Sequence, residues 1–446
     1  MWRKIGYALA DGGNNFSYSF IISFLVFFAT DVVGVAAAII GGIVLGSRLL
    51  DAVLDPIIGG LADRTRTRWG TYRPWILFGS IPLCVLLVLC FTVLPIESIA
   101  VKTVFLCVVF VLSIIVYSCV NIPYSAATAV ITRDTDERAS VTSYRLIVAV
   151  TVGIFIIGQA TLPLVEFFGG GDTTSPRGWL LTALVYAAAA FVLYLISFFT
   201  IDEIVQPHVE KQTFGEMIGA MKGNGPAWIL SAGFLLLGVF YYGRNSTYMY
   251  YFTYVAGDQN LYTPFMMCVA IGSLLGAFAV PIIGPKLANK ATFPVGAFIV
   301  AGVLMIAAQF IDPVANWWLF LVINVVTSFG IVGGMTMMYG MVPDTTEYGE
   351  WKTGIRAAGF ISAFITFALK VGMAIGISSI GFVLDAFDYV AGAEQSAGTI
   401  TAINVLMNLG PGILALVCAA VFLKYKLNKA AYYQIVDEVE SRHTDS

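Results

Sequence analysis

Long runs of apolar residues, separated by short polar stretches, follow one another along the whole chain. A helix that crosses the hydrocarbon core of a bilayer needs about 20 mostly apolar residues. No small-residue cleavage site follows the first run, so we expect it to be a retained helix and not a signal peptide. The pattern predicts twelve transmembrane helices, over residues 14–33, 38–61, 75–94, 103–128, 140–165, 178–200, 228–254, 262–285, 292–311, 316–341, 357–384 and 399–423.

The predicted helices fall into two related sets of six. Pro-Ile-Ile-Gly ends helix 2 at 56–59 and helix 8 at 281–284, and acidic segments at 134–137 and 344–347 follow helices 4 and 10. Two matches at equivalent places indicate a duplicated unit, as in transporters that rock around a central site. The predicted domains are an N-terminal bundle (1–200), a cytoplasmic middle loop (201–227), a C-terminal bundle (228–424) and a cytoplasmic tail (425–446).

The composition makes a membrane the solvent for most of the chain. Of the 446 residues, 59% are hydrophobic and 11% are charged, and the mean hydropathy is +0.86. A soluble domain carries about 25% charged residues. The net charge of -3 is not that of a nucleic-acid-binding surface, and the six cysteines all lie in apolar stretches. We expect a protein that works as a monomer in the bilayer and binds no nucleic acid.

The positive charges predict the orientation. Most of the 24 Lys and Arg residues lie in loops on the same side as the chain ends, and only Lys102 and Arg177 lie in loops on the other side. Because positively charged loops stay in the cytoplasm, we expect both termini to be cytoplasmic. The sequence therefore predicts a multi-pass protein of the cell (inner) membrane.

Three charged residues lie inside predicted helix 2. Arg48, Asp51 and Asp55 share one helical face, because they are three and four residues apart. A charge at the bilayer centre costs about 2.5–3.5 kcal/mol, so this face is expected to line the bundle interior or a wet cavity. One interpretation is a salt-bridge cluster that locks helices together. Two carboxylates beside one arginine favour a site for a monovalent cation, with Arg48 as the charge partner.

Polar side chains also mark predicted helices 1 and 4. Tyr117, Ser118 and Asn121 follow one face of helix 4, and helix 1 carries Asn14 and Asn15. Amides and tyrosines offer the directional hydrogen bonds and aromatic faces that a polyhydroxylated ligand requires. The alternative interpretation of the asparagines is hydrogen bonding between helices.

Three further cations lie within predicted helices. Arg145 in helix 5 and Lys370 in helix 11 each require a partner, and Asp51 or Asp55 is the expected one. Arg244 lies in a tyrosine-rich run of helix 7. The sequence leaves open whether Arg244 lines a cavity, stacks on a ring or reaches the membrane surface.

Motifs of enzymes and of ATP-driven pumps do not occur in the sequence. It contains no G-x-x-x-x-G-K-[ST], H-E-x-x-H or G-x-S-x-G, and its two histidines lie in polar stretches. We therefore expect neither catalysis nor a cofactor, and no metal other than sodium as the coupling ion.

Five stretches, in order along nearly the whole chain, resemble the glycoside–pentoside–hexuronide:cation symporters of the major facilitator superfamily. They are Thr30-Asp31-Val32-Val33-Gly34, Arg48-x-x-Asp51-Ala52-x-x-Asp55-Pro56, Arg68-Trp69-Gly70-x-x-Arg73-Pro74-Trp75, Asn121-Ile122-Pro123-Tyr124 and Asp344-Thr345-Thr346-Glu347-Tyr348-Gly349-Glu350-Trp351. The resemblance implies an all-α membrane protein with two pseudo-symmetric six-helix bundles, the major facilitator fold. It also implies symport, in which the inward flow of a monovalent cation drives uptake of a glycoside, pentoside or hexuronide by alternating access.

The resemblance also implies which residues form the two sites. The family's cation site corresponds to Asp51, Asp55 and Ser118. Its sugar site corresponds to Asn14, Asn15, Tyr117, Asn121, Arg145 and Lys370.

The sequence departs from that of melibiose permease, a member of that family, at positions that affect the expected substrate and the expected coupling ion. Acids of that permease in helix 1 and at the position of Asn121 are amides here, and the chain looks nearer to the family's xyloside and glucuronide carriers. Leu54 replaces an asparagine of the permease. A sodium site loses an oxygen ligand by this change and a proton site does not, so we expect coupling to H⁺ over Na⁺.

Charged residues of the cytoplasmic loops are expected to hold the outward-facing state closed on its inner side through salt bridges between the halves. They are Asp63, Arg64, Asp134, Arg138, Asp344, Glu347 and Arg356. Two other functions stay open on the sequence alone. One is transport of an amphiphilic or lipid-like solute by the same fold, and the other is sugar sensing by a transporter-like protein.

Overall fold

The computed structural model describes residues 2–131, 144–145, 148–149, 151–201, 221–354 and 358–444. Over these residues the chain forms helices, with one isolated bridge between Thr67 and Gly70. The helices are α1 (Trp2–Phe27), α2 (Ala37–Arg64), α3 (Arg73–Cys90), α4 (Ile99–Ile131), α5 (Ile157–Gly169), α6 (Pro176–Thr200), α7 (Gly225–Val255), α8 (Tyr262–Ile283), α9 (Thr292–Ala308), α10 (Trp317–Thr353), α11 (Ala358–Ala386), α12 (Ala397–Phe422) and α13 (Lys429–Thr444).

The prediction of an all-helical, multi-span membrane protein is confirmed. Ten helices in the described part of the chain are long and apolar enough to cross a bilayer. Two shorter apolar segments, Ala37–Ser47 in the first part of α2 and Thr292–Ala308 (α9), lie where helices 2 and 9 are predicted. Large apolar side chains within these helices are exposed, among them Val104 at 62% on α4 and Phe278 at 63% on α8. Such a surface is suited to contact with lipid chains and not with water.

Two predicted helix ends are wrong. The sequence predicts that the first helix begins at residue 14, whereas α1 begins at Trp2 and so includes Asp11. The other wrong end is that of α10. The sequence places Asp344 and Glu347 in a loop after residue 341, whereas α10 continues to Thr353 and carries both residues. Pro343 lies inside this helix without ending it. The added turns are held by tertiary contacts, because the C-terminal helix α13 packs against α10.

Two compact units make up the fold. The first contains the described residues up to 201 with 260–267 and 381–399, and the second contains most of the remainder. In the first unit α1 packs on α6, and α3 packs on α4 and α6. In the second unit α7 packs on α12, and α9 packs on α10 and α12. The same pairs therefore recur six helices later, as a duplicated six-helix unit requires.

An aromatic cluster joins α1, α3 and α6 in the first unit. The ring centroids of Phe20 and Phe91 lie 4.1 Å apart, and those of Phe91 and Trp179 lie 5.8 Å apart. All three side chains are fully buried. A π-helical turn, Phe28–Val33, follows α1 and ends at Gly34, whose φ of +86° is the left-handed conformation that glycine adopts readily. The cluster packs α1, which carries Asp11, Asn14 and Asn15, firmly against α3 and α6.

Candidate functional site

Asp51 and Ser118 lie in direct contact between α2 and α4. The Ser118 hydroxyl donates a hydrogen bond to Oδ1 of Asp51. Asp51 is 3% exposed and Ser118 is 2% exposed. Asp55, one turn further along α2, is half-buried. The position of the Arg48 side chain lies outside the described part of the structure. A buried carboxylate with a hydroxyl partner, close to a second carboxylate, can hold a proton or offer oxygen ligands to a small cation.

An amide pair joins α1 to α4 within the same unit. Nδ2 of Asn14 donates to Oδ1 of Asn121 over 3.2 Å, and Asn14 is 2% exposed whereas Asn121 is half-buried. Because Asn121 uses its carbonyl oxygen in this bond, its amide nitrogen keeps two donor hydrogens for other partners. Asn15 bonds within its own helix, to the Asp11 carbonyl and to Ser19. The pair thus forms the interhelical bond that was the alternative interpretation, and it also leaves donors for a ligand.

Tyr194 on α6 completes this network, and sequence reasoning missed it. Its hydroxyl donates to Oδ1 of Asn14 over 2.8 Å, and the residue is fully buried. Gly13 makes the approach feasible, because a Cβ atom at that position would lie 2.8 Å from the Tyr194 ring. One tyrosine within an apolar helix carries no sequence signal that separates a positioning role from ordinary packing.

Two further aromatic pairs line the same region of α1 and α4. The Tyr117 ring stacks on Tyr18, with centroids 4.5 Å apart. The Tyr7 hydroxyl donates to the backbone carbonyl of Tyr124 over 2.6 Å, and their ring centroids lie 4.6 Å apart. Tyr117 is half-buried one turn before Asn121 on α4, and aromatic side chains in such positions are suited to line a sugar site.

Arg145 forms an ion pair with Asp11, which is not one of the partners expected from the sequence. The expected partners were Asp51 and Asp55 on α2, but the structure joins Nε of Arg145 to Oδ2 of Asp11 on α1 at 2.7 Å. The guanidinium also lies over the ring of Tyr124, 4.6 Å from its centroid. The two side chains of the ion pair are 20% and 15% exposed. Sequence spacing alone could not connect Asp11 to a residue 134 positions away.

Two other cations in predicted helices lie in the second unit. Lys370 is half-buried on α11. Arg244 is 2% exposed, and its guanidinium donates to the carbonyl of Met407, to the hydroxyl of Tyr248 and to the side chain of Asn324. Met407 belongs to the π-helical turn Val405–Leu409 in α12, so Arg244 serves as a buried cross-link between helices.

The predicted cytoplasmic gate is described only in part. Arg64 is exposed, the side chain of Asp63 is not described, and Asp134, Arg138 and Arg356 lie outside the described residues. Both Asp344 carboxylate oxygens accept hydrogen bonds from Nζ of Lys290, at 2.8 and 2.7 Å. Both partners belong to the second unit, so the ion pair seen for Asp344 is internal to that unit, and not the expected salt bridge between halves.

The C-terminal helix α13 lies against this ion pair. Lys290 Nζ lies 5.4 Å from the centroid of the Tyr432 ring, and Nε1 of Trp351 donates to Oε2 of Glu438 over 2.6 Å. Burial raises the pKa of Tyr432, and a hydrogen bond to Glu347 raises it further. These contacts tie α13 to the end of α10. Neither Lys290 nor Glu438 was a sequence candidate, because each lies in a polar stretch that resembles an ordinary solvated loop.

Comparison with known proteins agrees with this architecture. The family model described as "MFS/sugar transport protein" matches residues 6–429. The isoprimeverose transporter of Lactiplantibacillus pentosus is 33% identical over 99% of this chain and 91% of its own length. A glucuronide carrier protein homolog of Escherichia coli (strain K12) is 31% identical over 99% of this chain and 96% of its own length.

Solved structures with little sequence identity share the fold. A bacterial homolog of the human lysosomal transporter Spinster superposes with a TM-score of 0.69 at 16% identity, covering 96% of this chain and 98% of that one. The nucleoside transporter NupG superposes with a TM-score of 0.63 at 13% identity, covering 96% of this chain and all of that one. The family resemblance inferred from the five sequence stretches is confirmed. The chain belongs to the MFS/sugar transport protein family, and it is accordingly a multi-span membrane transporter and not an enzyme.

Proposed function

We propose that this protein is a symporter that couples the inward movement of a monovalent cation to uptake of a glycoside, pentoside or hexuronide by alternating access. Its relatives include proteins named as an isoprimeverose transporter and a glucuronide carrier homolog. We place it in the cell (inner) membrane with both termini in the cytoplasm, as the distribution of positive charge indicates. One copy of the chain carries both sites, so a monomer suffices.

The observation that carries this proposal is that α4 contributes to both candidate sites. Ser118 contacts the carboxylate of Asp51, and Asn121, three residues further along α4, contacts the amide of Asn14. Three residues correspond to almost one turn of helix, so the two contacts lie on neighbouring parts of one rigid element. If cation binding shifts α4, Asn121 moves with the helix, and the hydrogen bond between Asn121 and Asn14 changes directly.

This arrangement gives a physical basis for coupling. Protonation of Asp51, or binding of a cation to it, changes what the Ser118 hydroxyl bonds to and so changes the preferred position of α4. A ligand that binds one position of α4 more tightly than another shifts the equilibrium between the two. Linkage then requires that sugar and cation each raise the affinity for the other by the same factor.

Uptake into proteoliposomes tests the proposal. The purified protein is reconstituted, a panel of labelled glycosides is offered, and an inward proton gradient and an inward sodium gradient are imposed in turn. Accumulation above the equilibrium level under one of the gradients supports symport. Equilibration without accumulation under either gradient would identify a uniporter instead, and no uptake of any glycoside would exclude a sugar transporter.

A further inference from the structure

The Asp11–Arg145 ion pair lies about one helical turn from the Asn14–Asn121 amide pair, and this spacing holds along both α1 and α4. Asp11 precedes Asn14 by three residues on α1. Tyr124, whose ring lies under the Arg145 guanidinium, follows Asn121 by three residues on α4. The side chains of the ion pair are 20% and 15% exposed, so they are not sealed in the core. A ligand held by the amides would therefore lie beside this ion pair.

The charge of Arg145 is balanced where it lies. Asp11 contributes a full negative charge at 2.7 Å, and the Tyr124 ring presents its negative face at 4.6 Å. The amides of Asn14 and Asn121 carry no formal charge. A carboxylate on an incoming sugar would meet Asp11 as a like charge, or would have to replace it at the guanidinium.

We propose that Asp11 acts as a charge filter, which keeps Arg145 neutralised so that the site takes uncharged glycosides and discriminates against hexuronides. The inference rests on the proposed sugar-transport function and narrows its substrate class. Discrimination arises from repulsion of the wrong ligand more than from extra attraction of the right one. A like-charge contact in a partly desolvated site should weaken hexuronide binding by about tenfold or more.

A matched ligand pair isolates the effect of charge from that of shape. Competition against a labelled neutral glycoside is measured on the reconstituted protein with 4-nitrophenyl β-D-xyloside, 4-nitrophenyl β-D-glucuronide and the methyl ester of that glucuronide. We expect the xyloside and the ester to compete at least about tenfold better than the free glucuronide. Equal competition by the ester and the acid, or stronger competition by the acid, overturns the filter while sugar transport stands.

Substitution of the acid tests the residue. Asp11→Asn removes the negative charge at nearly constant shape, so the ratio of ester to acid affinity should fall by about tenfold. Asp11→Glu keeps the charge and should keep the preference for the ester. Asp172→Asn, the same change at an exposed acid in the loop before α6, is the control and should leave the ratio unchanged. An unchanged ratio in Asp11→Asn refutes the role of Asp11.

The same measurements separate failure of the filter from failure of the proposed function. If Asp11→Asn does not fold, the ester and acid pair on the unmodified protein still decides whether the site rejects negative charge. If no glycoside, neutral or acidic, competes or is transported, the proposed sugar function fails and the filter fails with it.

Discussion

The hydroxyl of Tyr194 donates a hydrogen bond to Oδ1 of Asn14 over 2.8 Å and so joins α6 to α1. This bond determines which end of the Asn14 amide faces which neighbour. With the oxygen held by Tyr194, the nitrogen must face Asn121, and the nitrogen of Asn121 remains for a ligand. The fully buried Tyr194 therefore determines that the half-buried Asn121 presents its amide nitrogen, and not its oxygen, to a ligand.

Tyr194→Phe should weaken glycoside binding without unfolding the protein. Loss of one neutral hydrogen bond costs about 0.5–1.5 kcal/mol, which corresponds to an affinity about two- to tenfold weaker. The measurement is the sugar concentration for half-maximal exchange in proteoliposomes. Tyr186→Phe is the matched control, because Tyr186 lies on the same helix and shares its hydrogen bond with Thr161 instead. Equal affinities in Tyr194→Phe and the unmodified protein would show that the bond positions nothing.

Gly13→Ala should disturb the same contact from the other side. The added Cβ would lie 2.8 Å from the Tyr194 ring, so the ring must move away from Asn14. Overpacking of this kind costs about 1–3 kcal/mol. Thermal unfolding in detergent should show a lower midpoint for Gly13→Ala. Gly42→Ala on α2 is the control, because nothing lies within 4 Å of its added Cβ, and its midpoint should not fall.

Asp55→Asn should uncouple transport while leaving the sugar site usable. The amide keeps the size of the side chain but can neither release a proton nor offer a charge to a cation. Labelled sugar should therefore reach an inside-to-outside ratio of about one under an imposed cation gradient, while exchange of internal for external sugar continues. Full accumulation by Asp55→Asn would remove this residue from the coupling site. Asp258→Asn, in the loop before α8, is the control and should accumulate sugar normally.

Proton coupling should be visible as a pH change. Two acids one turn apart can share a proton, whereas a dehydrated sodium ion requires about five or six oxygen ligands, and Leu54 provides none. A sugar pulse to lightly buffered vesicles in sodium-free medium should make the outside more alkaline. Absence of a pH change, together with strong stimulation of uptake by added sodium, would reverse this expectation.

Lys290→Ala should destabilise the second unit because it leaves the Asp344 carboxylate without this partner. The Asp344 side chain is 9% exposed and that of Lys290 is 38% exposed, so solvent screens part of the loss. We expect a decrease in stability of about 1–3 kcal/mol, read from thermal unfolding. Lys286→Ala removes an exposed lysine from the same loop and should have little effect. If Lys290→Ala and Lys286→Ala unfold at the same temperature, the ion pair contributes nothing measurable.

Much of the fold could be predicted because its signals are local along the chain. The apolar length of each segment predicts a spanning helix, and the spacing of Asp51 and Asp55 places them on one face whatever packs against it. The predicted end of α10 was wrong because it, too, was inferred from a local signal. Polar residues after 341 resemble a loop, and only packing against α13 keeps them helical.

By itself, the sequence determined the membrane class, the order of the helices, the family and several polar residues of the candidate sites, among them Asp51, Ser118, Asn14 and Asn121. The tertiary structure alone decided which side chains meet. Arg145 and Asp11 are 134 residues apart, Tyr194 and Asn14 are 180 apart, and Lys290 and Asp344 are 54 apart. Helical periodicity determines which face a side chain shares with its neighbours. The rotation and depth at which two helices pack determine its partner on the other helix.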